Sequence, residues 1–337
     1  MSAIEEAVAT EEEKQPTTED YGIEEAPAEA ENNNTSTASA VSDKPPLNHK
    51  NYLNLIAYIL NITLVYGVGN AGWLGTPDNG ELSRKYQTLV TPKSSAFSIW
   101  AVIFLAQGAF AVLQFLPRFR ATPMLQNGLS YWYSSVTATQ IGWTLSFAYE
   151  VIPLSLAFML SIWVSLIAIL YSQYYTKSDG SLLEFWVLRF PFAVHAGWIT
   201  AASALNVNVQ VVSSGVASDI QLAVAIVSLA VLHAVSVWVL FNIPRPNWTM
   251  ACVLSWAFGW IYEELNEPQQ LIQDSFSPDT IRGVQYAAIA VSFIILFQVV
   301  IRLALLIRPS YNPYKKVSEE GTVESGDEEN NDDDVKV

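Results

Sequence analysis

The stretch VIPLSLAFMLSIWVSLIAILYSQYYT, residues 151–176, runs without a single charged side chain. A helix needs roughly 17–25 predominantly apolar residues to cross the hydrocarbon core of a bilayer. The runs are continuously apolar and do not alternate with a period of two, which favours helices over the strands of a membrane barrel. Comparable uncharged stretches occur at residues 51–77, 94–117, 121–149, 190–218, 220–244, 246–262 and 283–301.

These stretches predict an all-α fold, a polytopic membrane helix bundle of about eight transmembrane helices. Most prolines lie at the ends of the predicted spans, where a missing backbone N–H costs little. The seventh span is the least certain in length, because Glu263 and Glu264 crowd its end. The predicted spans are about 52–72, 95–116, 127–149, 152–175, 185–206, 219–241, 247–265 and 283–307.

The acidic charge of the chain is confined to its two ends. The net charge is −15 over 337 residues, yet residues 51–308 hold as many basic as acidic residues. Residues 1–50 carry twelve acids and three bases, and residues 309–337 carry nine and three. Their composition predicts disordered acidic tails at 1–47 and 309–337. A nucleic-acid partner is not expected, because phosphate binding needs clustered Lys and Arg.

The basic residues of the short loops predict an orientation. With eight spans both chain ends lie on one side of the membrane, and nine Lys and Arg residues fall on that side against four on the other. Because basic loops stay on the cytosolic side, we expect both termini in the cytosol. The sequence predicts an integral, multi-pass membrane protein and leaves the organelle open.

Motifs for catalysis or metal binding are sparse. The pattern Gly67-Val-Gly69-Asn-Ala-Gly72 resembles a dinucleotide-binding loop, but it ends a membrane span and follows no strand. The single cysteine, Cys252, excludes a disulfide framework and is expected to be a buried, inert thiol. No catalytic residue and no metal ligand is predicted, and an enzyme is the least favoured class.

Polar and aromatic residues inside the spans are the candidates for function. Ionisable groups within a membrane are functional hypotheses by default, and His195 and His233 both fall inside spans. A neutral imidazole bonded to a neighbouring carbonyl is the structural alternative. Several of the eleven tryptophans lie deep in the spans and either line a flat apolar pocket or simply pack. Ala193, Gly197 and Ala201 form a small-residue ridge, which predicts a central position for the fifth span.

Three segments resemble the tryptophan-rich sensory protein (TspO/MBR, translocator protein) family. The order and spacing of the segments agree with its second, third and fifth spans, and the resemblance covers about residues 52–207. Gln140 stands where the family has Asn, and the family's W-x-P-P signature before the second span is absent. The segments are PKSSAFSIWAVIF at 92–104, QIGWTLSF at 140–147 and PFAVHAGWITAASALN at 191–206.

The resemblance implies a five-helix membrane region at 48–207, with an additional three-helix region at 208–308. Members bind flat apolar molecules, including porphyrins and in some cases sterols, in a pocket between the helices. The resemblance implies that aromatic faces stack on the ligand while polar groups bond to its edge. No cofactor is predicted, and a tetrapyrrole would be bound as the ligand. The implied ligand-binding residues are Trp100, Phe104, Gln140, Trp143, Phe147, Trp198 and Thr200.

Two further functions remain open at this stage. A proton-coupled secondary transporter would use the intramembrane groups His195, His233 and Arg302 and a helix broken at Pro191, although the halves show no convincing inverted repeat. Asn206 is a further intramembrane polar group, which could bond across helices. A membrane scaffold would recruit partners through the acidic tails. The expected partners are the lipid bilayer and a hydrophobic small molecule, which the protein would carry or sense. Homo-oligomerisation is left open.

Overall fold

The computed structural model describes residues 46–307, and eight long helices lie there at the predicted positions. The predicted acidic tails fall outside the described residues, apart from positions 46 and 47. The helices are α1 His49–Gly69, α2 Asn79–Lys85, α3 Ile99–Leu113, α4 Trp132–Ala148, α5 Ile152–Tyr175, α6 Leu182–Glu184, α7 Phe190–Ser213, α8 Ser218–Val237, α9 Trp248–Asn266, α10 Gln270–Ser275 and α11 Pro278–Ile307.

The polytopic helical membrane bundle is confirmed. By length and composition, five helical segments among the described residues are able to cross a membrane: His49–Gly69, Ser94–Leu113, Ile152–Tyr175, Ser218–Asn242 and Pro278–Ile307. Helices α4, α7 and α9 lie where spans were expected but are shorter or more polar. Their crossing stays a prediction. The polarity of α7 has a clear origin, because it buries Asn206 and Asn208 inside the protein.

Local sequence explains where several helices begin. Asn48 caps α1, since its side chain accepts a backbone N–H while the Asn51 side chain accepts from the backbone of Asn48. Asp78 and Glu81 form the same reciprocal arrangement at α2. Pro191 lies at the start of α7, directly after the π-helical segment Phe185–Arg189, and its missing N–H interrupts the backbone bonds of a continuous helical run. Helix α7 then continues past the predicted end at residue 206 to Ser213.

Five helices close into a ring. Helix α1 packs on α3 and α4, α4 packs on α5, α5 packs on α7, and α7 returns to α3. Their inward side chains form one continuous hydrophobic core. We call this arrangement the five-helix ring. It is built by the region that carries the three family-like segments.

A second group of helices packs against the outside of α7. Helices α8 and α9 contact α7, and α11 packs along α9. The contact with α9 depends on Gly197, because a Cβ built there would lie 2.8 Å from Cβ of Val253 and 3.2 Å from Cα of Met250. The predicted small-residue ridge and the central position of α7 are therefore confirmed.

Three π-helical segments lie within residues 46–307: Met124–Leu129 precedes α4, Phe185–Arg189 joins α6 to α7, and Trp238–Asn242 ends α8. A π turn releases backbone carbonyls from the regular ladder, and a buried carbonyl needs another donor. One carbonyl in each π-helical segment accepts a bond of 2.7–2.9 Å from a side chain of another segment. Ser172 Oγ donates to the Asn127 carbonyl, and Gln173 Nε2 donates to the Leu188 carbonyl. Arg302 Nε donates to the Leu240 carbonyl. Arg302 thus has a structural partner.

One cysteine and two tryptophans of the predicted spans lie on the surface of the protein. Cys252 is exposed, which overturns its expected burial. Its neighbours Ala251 and Val253 point inward, so the helical rotation of α9 turns residue 252 outward. Among the deeper tryptophans, Trp238 and Trp256 are 59% and 40% exposed and lie on the bundle surface. These two residues therefore do not line the interior of the bundle.

Candidate functional site

The ring interior contains the aromatic pair predicted on α3. Trp100 and Phe104 stack with ring centroids 5.5 Å apart and an interplanar angle of 25°. Trp100 also meets the His195 imidazole of α7 in an edge-on contact of 5.6 Å. The pair is half-buried, whereas His195 is completely buried. Trp100 and Phe104, which the resemblance implied, therefore lie next to His195, which was predicted as an intramembrane polar group.

A chain of hydrogen bonds joins α4, α3 and α7 at this level. The Tyr133 hydroxyl donates to Gln107 Oε1 at 3.2 Å. Gln107 Nε2 lies 3.0 Å from His195 Nδ1. All three residues are fully buried. Within residues 46–307, the other imidazole nitrogen, His195 Nε2, has no hydrogen-bond partner.

A second polar group lies on the facing helices α1 and α4. Asn61 Nδ2 donates to Gln140 Oε1 at 3.4 Å, and both side chains are fully buried. Thr137 lies one helical turn from Gln140 on the same face of α4. In the described part of the chain, Asn61 Oδ1, Gln140 Nε2 and Thr137 Oγ1 are buried without a partner. Gln140 is thus a buried residue whose amide oxygen is bonded and whose amide nitrogen has no partner in the described part of the chain.

The predicted aromatic residues of α4 form a third group. Trp143 and Phe147 stack with centroids 5.3 Å apart and an interplanar angle of 14°. Trp143 Nε1 donates to Asn206 Oδ1 of α7 at 3.1 Å, and Asn206 Nδ2 donates to the Ala202 carbonyl. This bond crosses the ring, because α4 and α7 are separated by α5 in the order of packing.

The last two residues that the resemblance implied, Trp198 and Thr200, contact other side chains of the protein. Trp198 is buried and meets Phe97 edge-on at 5.5 Å. Thr200 Oγ1 accepts from Trp163 Nε1 at 3.1 Å and donates to the Ala196 carbonyl at 2.7 Å. The other side of Trp198 borders a cavity of about 20 Å³ shared with α8 and α9. A cavity of that size holds about one water molecule.

His233 lies apart from this constellation. It is half-buried on α8, outside the five-helix ring, and its Nδ1 is buried with no partner among the residues described. Gln140, His195, Thr200 and Asn206 therefore lie on helices of the ring, whereas His233 on α8 and Arg302 on α11 lie outside it.

Aromatic packing closes one end of the ring. Phe110, Tyr133 and Phe192 meet pairwise edge-on at 5.2–5.6 Å. All three are fully buried. This end, next to the starts of α4 and α7, is filled by protein.

The connection between α1 and α3 covers the other end. Lys85 forms an ion pair with Glu150 in the turn between α4 and α5, and the Tyr86 hydroxyl donates to the same carboxylate at 2.6 Å. Bonds from Lys85 and Tyr86 hold the pKa of Glu150 below its usual value. On the opposite edge, Gln87 Nε2 donates to Glu264 Oε1 at 2.5 Å. We call residues 70–93 the capping loop.

Sequence reasoning missed several residues of the interior. Gln107, Tyr133 and Asn61 carry its hydrogen bonds, and Phe110 and Phe192 close its end. The signal that could have found them was an amide within an uncharged helix, at positions 61 and 107. A single amide does not reveal which helix it faces, so its partner could not be named.

Comparison with known families decides the assignment. A family model described as TSPO-like protein matches residues 51–301. The chain belongs to the TSPO-like protein family. No curated protein and no solved structure matches it significantly.

The TSPO-like match reaches further than the resemblance seen in the residues. That resemblance covered about 52–207, whereas the family model continues to residue 301 and so includes α8, α9 and nearly all of α11. The three further helices are therefore part of the TSPO-like match and not an unrelated addition. Their role is a separate matter from the ring chemistry.

Proposed function

We propose that this TSPO-like membrane protein binds a hydrophobic, planar small molecule of the porphyrin or sterol class inside the five-helix ring, as a carrier or sensor. The observation that carries the proposal is a set of unpartnered, buried polar atoms beside stacked aromatic rings. The atoms are Asn61 Oδ1, Thr137 Oγ1, Gln140 Nε2 and His195 Nε2, which lack a partner within residues 46–307.

Such atoms are unfavourable unless something bonds to them. A buried donor or acceptor left unsatisfied costs about 1–3 kcal/mol. These four, out of seven such atoms that the described residues place on the ring helices, therefore favour a molecule with polar groups inside the ring. Trp100 with Phe104, and Trp143 with Phe147, offer flat aromatic faces beside them. Small-ligand sites commonly combine an apolar lining with a few placed polar groups.

Binding on this scale needs movement of the ring. The inward side chains of the ring pack into one continuous core, and the cavity beside Trp198, toward α8 and α9, holds only about 20 Å³, far less than a tetrapyrrole requires. One end is closed by the packed rings of Phe110, Tyr133 and Phe192, whereas the other is covered by a loop held through hydrogen bonds. We therefore propose that the ligand enters from the end covered by the capping loop.

Fluorescence titration of the detergent-purified full chain with protoporphyrin IX tests the proposal. We expect saturable quenching of tryptophan fluorescence, and an affinity at least several-fold weaker for Trp143→Ala. Trp238→Ala is the matched control, because Trp238 is exposed on the bundle surface. Gln140→Leu is a second variant that keeps the aromatic pair and removes a polar contact.

The possible results separate clearly. Absence of saturable binding to the wild type overturns ligand binding of this class. Wild-type affinity in both Trp143→Ala and Gln140→Leu, with each variant eluting as a folded monodisperse species, removes the ring interior as the site.

Proton-coupled transport is the second candidate, supported by the fully buried His195 with its unpartnered Nε2. Its support from other residues is weaker, since Arg302 is bonded to the Leu240 carbonyl and His233 lies outside the ring. Proton uptake into vesicles that is lost in His195→Ala would favour this candidate. Quenching without proton movement would favour the binding protein.

A further inference from the structure

We infer that His195 donates its Nε2–H to an oxygen acceptor of the bound molecule, so that the ring selects planar ligands bearing a carbonyl or carboxylate group. The inference rests on the proposed function and specifies which atom of the site reads the ligand edge. Tyr133 and Gln107 act as positioning residues, because they set the proton on the imidazole without contacting the ligand.

The direction of the hydrogen bonds begins at Tyr133. Its hydroxyl donates to Gln107 Oε1 at 3.2 Å, and the oxygen side of the Gln107 amide faces α4. The amide nitrogen then faces α7 and lies 3.0 Å from His195 Nδ1. An amide NH₂ group can only donate, so Nδ1 accepts and carries no proton.

The imidazole has no counter-ion nearby. Helices α1, α3, α4, α5 and α7, which form the ring, contain no Asp or Glu. A charged imidazolium buried without a paired charge is strongly disfavoured, so His195 is neutral. A neutral imidazole has one N–H, and with Nδ1 accepting, that N–H is on Nε2.

The Nε2–H has nothing to bond to among residues 46–307, although His195 is completely buried. The His195 imidazole lies beside the Trp100 ring, which stacks on Phe104. A flat molecule against those rings would place its edge near this donor. The complementary group on that edge is an oxygen acceptor, and the bond is strongest to a carboxylate.

The first experiment measures the tautomer in the free protein. The full chain is labelled with ¹⁵N-histidine, which gives three histidine signals, and the signal lost in His195→Asn is assigned to residue 195. We expect an unprotonated Nδ1 and a protonated Nε2, and a loss of this single tautomer in Gln107→Leu. An Nδ1–H tautomer in the wild type overturns the inference, whatever the ligand titrations show.

The second experiment compares two probes and two substitutions. Mesoporphyrin IX carries carboxylates, whereas octaethylporphyrin has only alkyl substituents. His195→Asn keeps a polar atom near Gln107 and loses the distal donor, while His195→Gln places an amide N–H near the Nε2 position. We expect His195→Asn to weaken mesoporphyrin binding by about tenfold or more and octaethylporphyrin binding by a much smaller factor. His195→Gln should restore most of the mesoporphyrin affinity.

The outcomes distinguish this inference from the proposed function. If the wild type binds neither probe, the proposed function fails and the inference fails with it. If the wild type binds both probes and His195→Asn weakens both equally or neither, binding stands and the donor role of His195 is wrong. An Nε2 signal that does not move on adding mesoporphyrin also overturns the donor role, since the ligand then does not bond to Nε2.

Discussion

Trp143 on α4 donates its indole Nε1–H to Asn206 Oδ1 on α7 at 3.1 Å, although 63 residues separate them along the chain. The bond crosses the interior of the five-helix ring between two helices that are separated by α5 in the packing order. Both side chains are at least 90% buried, so neither group has water as an alternative partner. The pair therefore joins a buried structural bond to a residue of the proposed ligand site.

Removal of this acceptor should destabilise the protein. Asn206→Leu leaves the buried Trp143 N–H unpaired, which we expect to cost about 1–3 kcal/mol and to lower the thermal unfolding temperature in detergent. Asn242→Leu is the control, since Asn242 is exposed. Combining Asn206→Leu with Trp143→Phe should cost less than the sum of the single changes, because the unpaired donor is gone. Strict additivity would contradict the bond.

A methyl group at Gly197 should separate α7 from α9. Gly197→Ala places a Cβ 2.8 Å from Cβ of Val253, and we expect a destabilisation of about 1–3 kcal/mol from overpacking. Gly259→Ala is the matched control, because the nearest atom to its new Cβ is Ser292 Oγ at 3.9 Å. In that open position, alanine favours the helix by about 0.5–1 kcal/mol. Thermal unfolding of both variants in parallel measures the difference in sign.

Attachment of the capping loop should depend on pH. The pKa of Glu150 is lowered by its bonds to Lys85 and Tyr86, so its contribution is present above the ordinary value of 4.5 and is lost as the pH falls through the lower folded value. The pKa of Lys85 is raised by Glu150, so that contribution is lost only as the pH rises above 10.5 through the folded value. Docking is therefore strongest between these limits.

Hydrogen exchange of residues 79–93, corrected for the intrinsic rate, measures this effect. We expect protection to fall between pH 7 and pH 3 in the wild type. Glu150→Gln should show lower protection at pH 7 and a flatter profile, while the Gln87–Glu264 bond keeps part of the loop in place. Glu267→Gln, at an exposed position, should behave as the wild type. Identical profiles for Glu150→Gln and the wild type would remove the ion pair as the determinant.

Labelling of single cysteines tests the predicted orientation and the crossing of α4, α7 and α9. In a Cys252→Ala background, Arg118→Cys and Asp179→Cys should react with a membrane-impermeant maleimide from the side that holds the N-terminus. Arg84→Cys and Asp274→Cys should react only from the opposite side. If 118 and 179 react from different sides, α4 and α5 do not both cross. If 179 and 274 share a side, the crossings between them are wrong.

Much of the helical architecture could be predicted from local properties. Long uncharged runs predicted helices that the structure has at α1, α3, α5, α8 and α11, because length and hydropathy are properties of each segment alone. The ridge at Gly197 also revealed a close helix contact, since only small residues permit it. Such features require no knowledge of the partner helix.

The interior of the site was harder to predict. Trp143 and Asn206 were both named from the family-like segments, yet their mutual bond was not foreseen. Gln107 was not named at all, and Cys252 was placed on the wrong side of α9. In a membrane helix apolar residues occupy every face, so the period of 3.6 does not show which face meets protein and which meets lipid.

The order of residues along the chain is enough to establish that 51–308 is a neutral, apolar, helical membrane region, and three aromatic segments within it point to the TSPO-like family. Helix packing was needed to show that Tyr133, Gln107 and His195 form one directed chain and that His195 Nε2 remains unpartnered among residues 46–307. The mean hydropathy of a segment depends only on the residues of that segment. A hydrogen bond between distant helices depends on the rotation and spacing of both helices. Those are set by packing across the whole ring.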